Sequence, residues 1–426
     1  MSILLYPPYL QWEVISDCNH KCIHCYNYWR ADNLDVVSHS DFDAITEQII
    51  ARKPVYMAVT GGEPLLVFEQ IKPCIQRIIN AGIKVSVSSN GTLITDEIAA
   101  FYARNNIDTV ISFPSINPEI CDAVCNASGV VERLRKSVEI LKRHNVKTTI
   151  NIVLTKLNLP SLWDTLKAVK EWDFTARIGI AQRPINASDE YLRCELSRED
   201  FRHIVRECIR AKRELGLDVD LSVCVPDCAF DSEEEYIAAE KGECYAGTIA
   251  YSIGTDGSVK ACQCDIKTYG NILRDDFRDI YSRMSEWRNG GTIPAECESC
   301  SRVDICRGGC RVEAFARGND RRTLPEFANL DNLPVNYTRP VDIMTFTDDT
   351  AFTVSSDAKF LKDYECYRIS SGIAATHVTN DFAQWLMSNP GFTFSELMSV
   401  TGADKEELTL ILNMLAKNNI LVIHKK

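Results

Sequence analysis

The sequence predicts an α/β fold: a partial (β/α)6 barrel, TIM-like, followed by a cysteine-rich extension and a small winged-helix-like C-terminal domain. Three observations predict it. Six β-rich runs alternate with helical stretches over residues 1–190, the pattern of a parallel sheet curved into a full or partial barrel. Cysteines then crowd the segment from Cys244 to Cys310, and from about Val341 strand-like runs give way to amphipathic helices.

The elements follow in order. "LQWEVIS" (10–16) is β-rich and leads into a loop with three cysteines. "DFDAITEQIIAR" (41–52) has apolar residues at helical spacing, and "VYMAVT" (55–60) reads as a buried strand. "FEQIKPCIQRIINAG" (68–82) predicts a helix that ends at Gly82, with Pro73 in its first turns. Further strands are predicted at 83–89, 107–113, 146–154 and 176–182, with helices between them near 96–105, 130–144 and 161–172. In such sheets functional residues gather on loops after the strands' C-terminal ends. The cysteine loop, "TGGEP" (Thr60–Pro64) and "SNGT" (Ser89–Thr92) follow the first three strands, so all three fall on one rim.

Composition narrows the function classes. The chain has 426 residues, enough for two or three domains, with 45% hydrophobic and 25% charged residues. A net charge of −12 argues against broad nucleic-acid binding. No apolar run reaches the length of a membrane span, and the first residues lack the basic head of a signal peptide. A cytoplasmic location is expected. Eighteen cysteines in a reducing compartment point to metal sites rather than disulfides.

Cys18, Cys22 and Cys25 stand at CxxxCxxC spacing. A structural zinc site normally takes four protein ligands and a redox pair needs two. Three thiolates suit a [4Fe–4S] cube with one iron left for a small molecule. The motif resembles that of the radical S-adenosylmethionine (radical SAM) superfamily, with His24 in place of the frequent aromatic residue. By that resemblance Cys18, Cys22 and Cys25 hold the cluster. Gly61, Gly62 and Glu63 of "GGEP" then meet the methionine amine of SAM, and Asn90 and Ser112 are further SAM contacts. The chain has "ISFPSINP" where many relatives have "SxDG" after the fourth strand. Tyr26, Tyr28 and Trp29 are expected to pack around the cluster.

Residues 191–243 read as a connecting helix and linker, with a capping box at Ser197 and Asp200 and an end at Gly216. Residues 244–335 open on a predicted hairpin turning at Asp256–Gly257 and contain "CESCSRVDICRGGC". A zinc ribbon would suit such pairs. The joint pattern resembles the SPASM extension of radical SAM peptide- and protein-modifying enzymes, which holds one or two auxiliary [4Fe–4S] clusters. Carried over by position, Cys244, Cys262 and Cys310 serve the first cluster, and Cys297, Cys300 and Cys306 the second. The fourth ligands stay open. Cys264, Cys228 or Cys224 could complete the first, or its iron could be open to substrate. Asp320, Asp331 or Cys366 could complete the second, or that cluster could be incomplete. Cys74, Cys121, Cys125, Cys194 and Cys208 are expected to be small buried apolar residues.

Residues 340–426 give strands, a helix, a short helix from Ser395, a turn at Gly402, a longer helix from Asp404 and a last strand. This order resembles the PqqD-like module that binds the leader of ribosomally made peptides, the leader adding as an edge strand. A helical cap over the core is the alternative. The expected function is therefore a peptide maturase that uses a 5′-deoxyadenosyl radical to abstract hydrogen from a ribosomally made precursor. It would form a thioether or carbon–carbon crosslink or a related change, with flavodoxin or ferredoxin as electron donor. A cluster iron open to a substrate thiolate would favour the thioether. Sulfatase-maturing relatives share core and extension but place an acidic residue after the GxxxxC cysteine, where this chain has Gln263. A non-catalytic electron carrier or peptide-binding scaffold is the reading from another class.

Overall fold

The computed structural model describes residues 7–26, 41–222, 224–332, 344–363 and 366–424. Tyr28 and Trp29, and the stretch 333–343 that joins the last two expected domains, lie outside the described residues.

Six parallel strands form the centre: β1 (Tyr9–Glu13), β2 (Tyr56–Thr60), β3 (Lys84–Ser89), β4 (Asp108–Ser112), β5 (Thr148–Leu154) and β6 (Thr175–Ile180). A seventh, β7 (Val219–Leu221), pairs parallel with β6. At the other edge β8 (Ala250–Ile253) pairs parallel with β1, and β9 (Ser258–Lys260) and β10 (Thr268–Asn271) continue antiparallel. The order β10-β9-β8-β1-β2-β3-β4-β5-β6-β7 is an open ten-stranded sheet. The cysteine-rich extension thus continues the core sheet, and β8 and β9 flank the turn at Asp256–Gly257.

Helices cover the sheet because their apolar residues recur on one face. In the helix Val130–Arg143, Val130, Val131, Leu134, Val138 and Leu141 are all buried. Each such side chain removed from water contributes about 1.5–3 kcal/mol. Local signals set the boundaries. Thr95 accepts the N–H of Ile98 at the start of Asp96–Arg104, and Ser197 and Asp200 form the capping box that opens Arg198–Arg210. The buried core runs continuously from β1 into the extension, through Cys310, Val312 and Phe327, and reaches Cys366 of the C-terminal part.

The C-terminal part has a second core, built on Phe352, Ile369, Leu386, Phe394, Leu397 and Leu412. Here β11 (Ala351–Val354) lies between β15 (Gly391–Thr393) and β16 (Leu421–His424). A separate antiparallel sheet joins β12 (Lys359–Asp363), β13 (Cys366–Ser371) and β14 (Ala374–Thr379). Helices Asn380–Ser388, Phe394–Thr401 and Lys405–Lys417 follow in the expected order, and Gly402 ends the second in a left-handed conformation (φ 63°). This part touches the core: Arg368 donates to the Lys53 carbonyl at 2.6 Å, and the Tyr9 hydroxyl to the Ile373 carbonyl at 3.3 Å. No helix among the described residues is long and apolar enough to cross a membrane.

Candidate active site

The cysteine loop leaves the end of β1 and crosses the loop after β2 at close range. The Gly62 N–H donates to the Ile15 carbonyl at 2.5 Å and the Glu63 N–H to the Asp17 carbonyl at 2.8 Å. A Cβ at Gly62 would fall 1.8 Å from the Asp17 oxygen, and one at Gly61 (φ +149°) 2.4 Å from the Ile15 oxygen. The glycines are therefore required by the cysteine loop's own backbone, a reason distinct from the ligand approach that the motif alone suggests.

The other side of the loop is tied to the helix Pro118–Cys125. The N–H groups of Lys21 and Ile23 donate to the carbonyls of Cys125 at 3.1 Å and Val124 at 3.0 Å. Cys125 is more than packing: its thiol hydrogen-bonds to Cys22 and holds that thiol well below the usual range. The ligating atoms of His20, Cys22 and Cys125 lie within 4.8 Å of one another. Cys125 is buried in the core as expected, and it also stands beside the cysteine loop, far from it in sequence.

Cys18, Cys22 and Cys25 line a cavity of about 350 Å³, together with Gly61, Gly62, Asn90 and Ser112. Its lining also includes Asn151 of β5, Gln182 after β6, and Gln263 and Cys264 of the extension. Sequence reasoning did not select Asn151 or Gln182, although the rim rule that found "SNGT" applies equally to the ends of β5 and β6. Gln182 also joins the two parts of the protein, because its side-chain oxygen accepts from the Cys310 thiol at 3.3 Å.

Glu63 is fully buried and does not line the cavity. Its carboxylate accepts the Leu65 N–H at 3.0 Å, the Ser89 hydroxyl at 2.8 Å and the Asn90 N–H at 2.7 Å. Burial pushes its carboxyl up, against the pull of those donors. This one carboxylate fixes two rim loops. The Asn90 side chain donates to Asn19 at 2.6 Å, beside Cys18, while Ser112 stands exposed at the end of β4.

Residues 12–169 match the family model described as the radical SAM superfamily. The chain carries a radical SAM domain. This domain uses a [4Fe–4S] cluster and S-adenosylmethionine, and the donor set fits: three thiols line one cavity, on a loop that the glycines hold against the rim. With its extension, the radical SAM domain is similar to an AdoMet-dependent heme synthase of Methanosarcina barkeri, 26% identical over 342 residues, covering 74% of this chain and 94% of that protein. It is also similar to the mycofactocin maturase MftC of Mycolicibacterium smegmatis, 25% identical over 324 residues, covering 73% and 80%. Among solved structures, Streptococcus suis SuiB bound to precursor peptide SuiA shares the fold, with a TM-score of 0.62 at 17% identity, over 76% of this chain and 75% of that one.

The extension gathers thiols of its own. Cys310 lies near Cys244 and Cys262, and Cys297 lies near Cys300 and Cys306 in a second group. The three candidates for the second group's fourth ligand stand as follows. Asp320 accepts the Arg322 N–H at 2.9 Å, Asp331 is exposed, and Cys366 sits in the C-terminal sheet beside Asp363 and His377.

Proposed function

We propose that this protein is a radical SAM peptide maturase that abstracts hydrogen from a residue of a ribosomally made precursor peptide. One observation carries the reading: a single cavity is lined by the CxxxCxxC loop, the rim loops, and Gln263 and Cys264 of the cysteine-rich extension. When bound there, the cluster and SAM supply a carbon-centred radical able to take hydrogen from an unactivated carbon.

The chain's residues do the rest. Cys18, Cys22 and Cys25 would hold the cluster. The backbone of Gly61 and Gly62, with Asn90 and Ser112, would orient SAM. Gln182, Asn151 and Gln263 present amide groups that would position a peptide group by hydrogen bonds. Gln263 has no proton-accepting carboxylate, which disfavours the sulfatase-maturing reading. The C-terminal unit supports a peptide substrate. It has a core of its own, and among the described residues β12 and β14 are the edge strands of their sheet, the geometry that accepts an added strand. A structural neighbour is bound to a precursor peptide. Flavodoxin or ferredoxin would deliver the electron.

The test is anaerobic incubation of reduced protein with SAM and each short peptide encoded beside its gene. The expected result is 5′-deoxyadenosine together with a mass change in one peptide. Absence of 5′-deoxyadenosine would return the protein to the class of carriers and scaffolds. Conversion of a tetrapyrrole with no peptide modified would overturn the substrate class.

A further inference from the structure

Beyond the two thiol groups already described, the segment Cys224-Val-Pro-Asp-Cys228 enters the extension from β7 and runs between them. Cys224 hydrogen-bonds to the Cys244 thiol and lies close to Cys310 and Cys262. Four residues later, Cys228 lies close to Cys306 and Cys300, and Cys297 is near Cys228, Cys300 and Cys306.

The segment is fixed between the groups. Asp227 is 1% exposed; its carboxylate meets Lys241 at 2.8 Å and accepts from Arg302 Nε and Nη2 at 3.0 and 2.9 Å. Lys241 also donates to the Val225 carbonyl at 3.2 Å, and the Asp227 N–H donates to Cys306 Sγ at 3.3 Å. A buried carboxylate left without its partners is strongly destabilising, so this pairing holds the loop in one position. On the opposite side Gly309 has φ +83°, and a Cβ there would lie 2.9 Å from Pro226 and 3.0 Å from the Cys224 carbonyl. The crossing therefore occurs one residue before Cys310.

We propose that Cys224 and Cys228 are the fourth thiolate ligands of two separate iron–sulfur clusters. Cys224 completes Cys244, Cys262 and Cys310, and Cys228 completes Cys297, Cys300 and Cys306. The inference rests on the reading that the extension holds clusters. Four thiolates are the usual ligand set of a cube. Backbone N–H groups aimed at sulfur, from Asp227 to Cys306 and from Glu313 to Cys310 at 3.4 Å, are the contacts that tune such clusters. A fifth thiol, Cys264, hydrogen-bonds to Cys262, but it lines the reaction cavity and Cys224 does not. Cys264 is the thiol left over. With four thiolates each, neither cluster offers an open iron to a substrate thiolate, so the thioether argument from a missing ligand falls away.

The test uses the full chain with Cys18, Cys22 and Cys25 all replaced by alanine, reconstituted anaerobically and assayed for iron, sulfide and Mössbauer spectra. About eight irons are expected, four per cube. No iron, or zinc in its place, would sink the cluster reading itself. On this background Cys224→Ala and Cys228→Ala should each perturb one cluster only, with loss of about one to four irons, and the double variant should perturb both. Cys264→Ala should keep all the iron. Because a ligand loss and a misfold look alike in iron content, Cys224→Gly and Cys228→Gly are also reconstituted with a small external thiol. Recovery of the parent spectrum marks a ligand position. Full iron and unchanged spectra in the Cys224 and Cys228 variants, or iron loss in Cys264→Ala, would overturn the assignment.

Discussion

The backbone N–H of Asn90 donates to Glu63 at 2.7 Å, while the other carboxylate oxygen of Glu63 accepts from the Ser89 hydroxyl and the Leu65 N–H. One buried acid thus locks the loop after β2 to the loop after β3, and both border the reaction cavity. The carboxylate sets the position of those loops.

Glu63→Gln should therefore weaken the rim without removing iron. One acceptor oxygen becomes an NH2 group facing an existing donor, which costs about 1–3 kcal/mol. We expect that loss in denaturant unfolding of the SAM-free protein. SAM binding by equilibrium dialysis should weaken at least about tenfold, which is 1.4 kcal/mol. Unchanged SAM affinity in this variant would separate the loops from SAM recognition.

Gly62→Ala should cost more than an ordinary glycine substitution. The added Cβ would fall 1.8 Å from the Asp17 oxygen, so the cysteine loop has to move. Reconstituted protein should lose the iron of one cube, about four atoms, and should make no 5′-deoxyadenosine. A variant with full iron content would show that the loop tolerates displacement.

Replacing Cys18, Cys22 or Cys25 singly by alanine should abolish 5′-deoxyadenosine, by at least about a thousandfold, equivalent to roughly 4 kcal/mol in barrier. Cys125→Ala should keep measurable turnover, because its thiol adjusts Cys22 without belonging to the CxxxCxxC set. The checks are product chromatography and iron analysis on the same samples. Loss of all activity in Cys125→Ala would make that residue part of the site.

Glu13 gives the protein a pH-dependent stability. Burial raises its carboxyl to about 7, with Lys260 at 3.7 Å pulling the other way. The folded state then holds a proton that the unfolded chain releases near 4.5. Stability contributed by that proton is present below about 4.5, falls as pH rises toward 7, and stays lost above it. Thermal unfolding across that window should show a shallower fall in Glu13→Gln than in the parent protein. An identical slope in both would assign the dependence to other groups.

Much of the site could be read from short stretches. CxxxCxxC, GGEP and SNGT each carry their chemistry within a few residues, and the strand–helix alternation places them on one rim. Glycine and cysteine spacing is local information, so it survives without coordinates. The capping box at Ser197 and the turn at Asp256–Gly257 were readable for the same reason. Cys125 was not, since nothing near it in the chain mentions the cysteine loop. β7 was hidden because three residues are too few to show a period.

The sequence by itself determined the three-thiol loop, the parallel sheet that carries it, and the presence of a second cysteine-rich region. Only the tertiary structure decided that this region extends the same sheet through β8 beside β1, that Glu63 faces the rim loops and not the cavity, and that Cys224 and Cys228 stand with separate thiol groups. The physical reason is distance along the chain. Ligand spacing and turn geometry are fixed by neighbours a few bonds away. Which remote segments share a cluster depends on how buried faces pack, and here on one buried carboxylate, Asp227, held between Lys241 and Arg302.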